Sequence, residues 1–267
     1  MHSVLRVTGY ASALLIASFA ISAAEWEGYE RLDREQVIER IKAAPEGARP
    51  DLYAKNLSDL DLAGVDFRAA NLSAAVLNGA KLARAKLDRC QLNVSFLQNA
   101  DLAGASLREA VLFSAQVQGS TLKDADLAGA RLIGDYRDAD FSGATLTNVN
   151  GAADMKNQSM GLMRTNMVSA TLIEADLSHS DFSRANFSFS DLTRAKLVGT
   201  KLYRADFSGA VLAEADLSEA DLRDATLIDA DLSRANLTNT DLTGAELRGV
   251  KGLDSAIKRG TKGLPVE

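Results

Sequence analysis

Large apolar residues recur at every fifth position from Leu52 to Leu132, and again from Leu162 to Leu247. The residue two places earlier is usually small and the one between is polar, as in Ala175-Asp176-Leu177, Ala215-Asp216-Leu217 and Ala230-Asp231-Leu232. A helix repeats every 3.6 residues and a strand every two, so neither element sustains a period of five. Each unit is therefore one side of a stacked coil. Only Val117 in the first run and Met167 in the second depart from Leu or Phe at the central position.

Between the runs the frame slips. Ala139-Asp140-Phe141 and Ala144-Thr145-Leu146 are proper units one residue out of phase, and Val149 to Gly161 has no regular pattern. The two slips cancel, which predicts one continuous coil with a bulged loop, interrupted at about 133–161, rather than two domains. Upstream, residues 25–50 predict a helical cap: a helix from Asp33 to Ala44, with Asp33 as N-cap and Gln36 three places on completing a capping box. Leu32, Val37, Ile38 and Ile41 give it an apolar stripe, and its expected job is to cover the open end of the stack. Downstream, 251–267 reads as a C-terminal cap, with a short helix from Asp254 to Arg259 ending at Gly260.

The motif A-(D/N)-(L/F)-x-x, carried from Leu52 to Leu247, resembles the pentapeptide-repeat family. The resemblance implies an all-β fold, a right-handed quadrilateral β-helix of about ten coils with roughly 20 residues in each, stacked at the strand spacing of about 4.8 Å. The central residue and the small one before it would point inward. Charges, which the motif does not fix, offer an independent check of that register. Glu174, Arg194, Glu214 and Arg234 alternate in sign at intervals of 20, as do Asp181, Lys201 and Asp221. Arg164, Arg184 and Arg204 break the rule by stacking like on like.

Composition narrows the function. Residues 1–24 read as a signal peptide, with Arg6 as the basic start, an apolar core from Ala11 to Ile21 and a small-residue cleavage motif, Ser22-Ala23-Ala24. Periplasmic location or secretion follows as an expectation, with no stable membrane span because that apolar core is too short. Its removal takes one base and moves the net charge from −6 to −7. Cys90 is the only cysteine, so no disulfide forms within the chain, and it falls at a small inward position. Two histidines, His2 and His179, cannot build a metal or charge-relay site, and the many Asp residues occupy the outward position that the motif reserves for a polar group. No catalytic, cofactor or metal site is expected, and the chain is expected not to be an enzyme.

What remains is an outer surface. Val76, Val94, Phe96, Val111 and Phe113 are outward apolar residues in adjacent coils and form one candidate partner surface. Asp154, Met155, Lys156 and Met160, in the irregular stretch, form a candidate recognition loop. The expected function is a protein-interaction or structural scaffold in the periplasm or cell envelope, with an unidentified protein partner, no nucleic acid, and a homodimer left open. The alternative comes from the family: some members mimic DNA and bind topoisomerases such as gyrase, conferring drug protection. Duplex DNA carries about one charge per 1.7 Å, so a rod of about 48 Å would need about 28. Residues 51–250 hold 27 acidic and 20 basic residues, a net of only −7.

Overall fold

Backbone hydrogen bonds tie each residue before a central Leu to its counterpart one coil on. The computed structural model describes residues 26, 28–153 and 164–264. Parallel bridges join Asn71 to Gln91, Val76 to Phe96, Lys81 to Asp101 and Lys86 to Ser106, so each coil has four bridged sides. In each, the central amide donates up the stack and the preceding residue's amide donates down, as in Leu72 N to Gln91 O at 2.7 Å and Gln91 N to Ala70 O at 3.0 Å.

The corners explain the rest of the motif. The central carbonyl accepts from the amide three residues on, for instance Ala220 N to Leu217 O at 3.0 Å, closing a β-turn. The second turn residue has a positive φ, 58° at Arg194 and 61° at Glu219. The first turn amide is satisfied by the polar residue before the central one: Asp231 Oδ1 accepts from Ser233 N at 2.9 Å, and Asn236 Oδ1 from Thr238 N at 3.1 Å. Asp or Asn is thus chosen as a local acceptor for an otherwise unpaired donor.

Inside, the described central Leu, Phe and Met side chains up to Leu242 are fully buried, mostly with Ala beside them. Where Ser or Thr replaces Ala, its hydroxyl donates to a backbone carbonyl, as Ser95 does to Leu92 O at 2.7 Å and Thr240 to Leu217 O at 2.7 Å. These inward hydroxyls therefore keep a partner. Phe187 and Phe207, one coil apart, stack with centroids 5.0 Å apart and rings 3° from parallel.

The frame slip is absorbed without a break. Strand β3 (Val111–Gln116) pairs in parallel with β4 (Arg131–Asp135), with a bulge between Phe113 and Ala115. The bridge interval shortens to 19 at Thr121–Asp140, lengthens to 31 at Asp135–Asn166, and returns to 20 at Asn166–Asn186. Tyr136, four residues after Leu132, fills the central position of the shortened side, fully buried. Gly134 is required there, because a Cβ would sit 2.4 Å from the Ala115 carbonyl oxygen. The expected interruption from 133 is therefore regular coil as far as Asn150; the stretch 154–163 lies outside the described residues, as does the expected signal segment 1–24.

At the N-terminal end, β1 (Glu30–Arg31) pairs in parallel with β2 (Lys55–Asn56), and α1 spans Arg34–Ala43. Asp33 caps α1 in a full capping box with Gln36. Leu32, Val37 and Ile41 join the same continuous core as Leu52 and Leu57. Carbonyls of the first coil, which have no coil beneath them, are met by arginines: Arg31 Nη2 to Ser58 O at 3.2 Å and Arg34 Nε to Asp61 O at 2.8 Å. At the other end the expected helix from Asp254 to Arg259 is absent. Ile257 bridges Asn236 and Lys262 bridges Asp241, so the tail extends the coil with one extra residue. The ladder's open donors and acceptors outcompete a helix too short to pay its own nucleation cost.

Two outcomes follow. Replacing inward Ala195 by Leu overfills the coil and lowers unfolding stability by about 1–3 kcal/mol in a denaturant titration. Asp231→Ala costs about 1 kcal/mol by losing the turn acceptor, whereas Asp231→Asn keeps a neutral acceptor and costs less at neutral pH. The Ser233 hydroxyl and amide hold the Asp231 carboxyl below its ordinary range, so its contribution is present above that range and lost as pH falls through it.

Candidate interaction surface

One side of the coil and one of its corners collect nearly every departure from the repeat. The side is the bridged column Asn56, Val76, Phe96, Gln116, Asp135, Asn166, Asn186, Asp206. The corner leading into it carries Val94, Phe113, Ser114 and Gly134, and higher up Arg184, Tyr203, Arg204 and Arg223. Ala153 and Arg164, which flank the undescribed stretch, lie at this corner too, where Ala153 N donates to Ser183 O at 3.3 Å.

The expected apolar surface is brought together here but is largely occupied. Val76 and Phe96 lie on the column, Val111 on the adjoining side, Val94 and Phe113 at the corner. Val76 is fully buried. Trp26 packs on Phe96 with centroids 4.6 Å apart, and Tyr29 meets Trp26 edge-on at 5.5 Å before the chain enters β1 against Asn56. Arg131 lies over the Phe113 ring at 5.0 Å, leaving Val94, 50% exposed, as the open member. The chain's own N-terminal segment thus packs on Phe96 in the lower column. Asp154, Met155, Lys156 and Met160 fall outside the described residues.

Above that patch is an open groove of about 830 Å³ lined by Gln116, Gln118, Ile133, Asp135, Arg137, Arg164 and Asn166, among others. Its polar side chains are interlinked. Arg137 Nη2 holds Asp135 Oδ2 at 2.7 Å, Gln118 Nε2 donates to the same oxygen at 2.8 Å, and Gln98 Nε2 donates to Gln116 Oε1 at 2.9 Å. Burial opposes ionisation of Asp135, yet the Arg137 and Gln118 bonds carry the balance and lower its pKa. Gln98 Oε1, Gln118 Oε1 and Asn166 Oδ1 are buried with no partner among the described residues.

Higher still, the like-charged arginines gather round one ring. Arg184, Arg204 and Arg223 lie 5.9, 5.1 and 5.9 Å from the Tyr203 centroid. Arg223 is held by Asp221 at 2.7 Å and Arg204 reaches Asp224 at 3.4 Å. Across the column, Phe189 is the most exposed large apolar side chain among the described residues, at 68%. Sequence reasoning passed over Phe189 and Tyr203; the signal was an aromatic at a turn position where most units carry a polar or small residue. Elsewhere opposite charges pair along the stack, as Arg194 with Glu174 at 2.7 Å and Arg89 with Glu109 at 2.9 Å.

Among the described residues, no cluster of three or more His, Cys, Asp or Glu side chains is arranged to hold a metal. Nor is any helix long and apolar enough to cross a membrane. Cys90 is buried at a small inward position, where desolvation pushes its thiol up to about 12.

The family model for pentapeptide repeats matches in eight copies, over residues 56–93, 97–129, 162–199, 170–209, 190–227 and 215–251. Among solved structures, HetL is a pentapeptide repeat protein involved in heterocyst differentiation regulation in the cyanobacterium Nostoc sp. strain PCC 7120. It is 28% identical over 88% of this chain and 100% of its own, with a TM-score of 0.37. A trypsin-treated form of QnrB1, a plasmid-mediated fluoroquinolone resistance protein, is 20% identical over 70% of this chain and 88% of its own, with a TM-score of 0.52. That second likeness speaks to fold alone. Such proteins fold as right-handed four-sided β-helices, to which the four bridged columns here correspond. No curated protein matches the sequence.

Burial makes Cys90 a probe of the coil. Iodoacetamide at neutral pH should leave it unmodified until denaturant opens the stack. Because its folded pKa lies above the ordinary 9.0, its contribution to stability is present below pH 9 and lost as pH rises toward 12. Cys90→Ala should shallow that alkaline loss in denaturation midpoints measured across the range.

Proposed function

The chain belongs to the pentapeptide-repeat family, and on that premise we propose that it is a non-enzymatic, exported scaffold, a right-handed rod of about ten coils that binds a partner protein. The observation that carries the reading is the convergence of irregular features on one column and its corner. The groove, the unpaired buried acceptors, the arginine column and exposed Phe189 are spread over successive coils of the same side. Two of the other corners carry opposite charges that pair along the stack. A rigid ladder holds such a surface in place with little ordering cost on binding. Export rests on the composition of residues 1–24, and places the partner in the periplasm or outside the cell.

A photo-crosslinking residue in place of Phe189 should capture a partner in intact cells, while the same residue in place of Lys196, on the opposite side, should not. Equal capture from both positions, or from neither, removes the assignment of this surface. A C-terminal epitope should fractionate outside the cytoplasm on a shortened chain; cytoplasmic recovery with an intact N-terminus contradicts export.

The likeness in fold to QnrB1 keeps a second reading, topoisomerase protection, in view. Charge opposes it, because basic residues interleave with the acidic ones along the stack. Expression in the cytoplasm without residues 1–24 should leave quinolone susceptibility unchanged, and a several-fold rise in the inhibitory concentration would favour that reading instead.

A further inference from the structure

Phe189 combines two unfavourable choices that nothing inside the chain offsets. It holds the second turn position of its corner at φ 60°, the only Phe, Tyr or Trp among the described residues with a positive φ, where the next two coils place Gly209 and Asp229. It is also exposed rather than packed into the core. Yet the ring has a seat. A Cβ on Gly209, one coil up, would lie 2.7 and 2.8 Å from Phe189 Cδ1 and Cε1, so the glycine leaves a notch for one ring edge. The acidic side chains placed round that seat have no counter-charge. Asp191 lies two residues on, Asp206 opens the side that leads to Gly209, and Asp229 stands one coil above Gly209, whose amide donates to Ile228 O at 2.8 Å. Asp191 and Asp206 each use Oδ1 for their own turn, accepting from Thr193 N and Ser208 N at 2.9 Å. None of the three has an ion-pair partner among the described residues, because the nearby arginines are engaged elsewhere: Arg194 by Glu174, Arg204 by Asp224 and Arg234 by Glu214.

We propose that Phe189 and the carboxylates of Asp191, Asp206 and Asp229 receive a basic segment of the partner protein, with a lysine or arginine side chain over the ring. The inference rests on the scaffold reading above and names the chemistry of the partner for that same surface. Two independent properties select a cation. The face of an aromatic ring is the negative part of its quadrupole, and the surrounding carboxylates add Coulomb attraction. A purely apolar pocket on the partner fits less well, because closing over the ring would take unpaired carboxylates out of water with it. Nucleic acid and anionic lipid are repelled by the same rim. A protein segment is favoured over a free small cation by the apolar residues that follow the ring over the next two coils. Exposed Val211 and half-buried Ile228 offer surface to the aliphatic stems of lysine and arginine. The seated ring is already oriented, so little freedom is lost when the cation arrives.

The test uses the full chain as isolated from cells and a fluorescein-labelled peptide of alternating lysine and serine, with a glutamate–serine counterpart as control. In anisotropy titrations at low salt the wild-type protein binds the lysine peptide, and affinity falls as salt rises. Asp191→Asn, Asp206→Asn and Asp229→Asn together remove charge while Asn keeps the turn acceptors, and should weaken binding at least fivefold. Glu219→Gln, on the opposite corner, should change it less than twofold. Phe189→Leu keeps apolar bulk without an aromatic face and should weaken binding threefold or more, while Phe189→Tyr stays within twofold of wild type. Gly209→Ala unseats the ring without removing it and should also weaken binding; the coil already accepts alanine at this turn position, as at Ala74 with φ 56°. Equal binding by wild type and the triple variant, or by wild type and Phe189→Leu, overturns the proposal. So does tighter binding of the glutamate peptide, or displacement of the lysine peptide by spermine at lower concentration than by unlabelled peptide. With the photo-crosslinking residue moved to Ile228, partner capture that persists undiminished in the triple variant overturns it too, and leaves the scaffold reading standing.

Discussion

Everything in this protein hangs on the coil-to-coil backbone ladder. Each central amide donates to the coil above and each preceding amide to the coil below, as Leu197 does to Asp216 O at 2.7 Å and Asp216 to Ala195 O at 2.9 Å. Once that register is fixed, the interior has room for one Leu or Phe and one small residue per side. The corner must turn through a positive φ, and the turn's first amide needs a local acceptor. The five-residue motif is the sequence solution to those three demands. Function is left to the outer wall, because the inward positions are already filled by packing.

The ladder also explains how the chain tolerates its irregularities. Losing one residue before Tyr136 shortens a side, and the bulge between β3 and β4 takes up the difference while the bridges continue. The groove lies where that side narrows, beside Gly134 and Asp135. Its unpaired carbonyl oxygens on Gln98, Gln118 and Asn166 are polar groups exempted from the satisfaction the rest of the coil achieves. Such exemptions concentrate on one side, together with the arginine column and the aromatic turn residues.

Much of this was legible in the residues themselves. The period of five gave the inward positions, and the Asp33 and Gln36 spacing gave the helix start, because both are local rules. Tyr136 was missed because a step of four looks like noise to a template of five. The tail helix was misread because Gly260 and the basic residues near it satisfy a helix-end rule, while the ladder that recruits Ile257 and Lys262 is a long-range effect. Packing of Trp26 on Phe96 joins residues 70 positions apart, a pairing that no local rule specifies. The arginine column stood out as a breach of charge alternation, but its gathering round Tyr203 needed three dimensions.

The central claim is that one unbroken ladder runs through the frame slip and so aligns the groove with the arginine corner. Native-state amide hydrogen exchange resolved by residue measures this directly. Amides of Tyr136, Phe141, Leu146 and Met167 should exchange as slowly as those of Leu92 and Leu197, opening in one cooperative unit. A rapidly exchanging block between Leu132 and Met167, with slow units on either side that open independently, would contradict it.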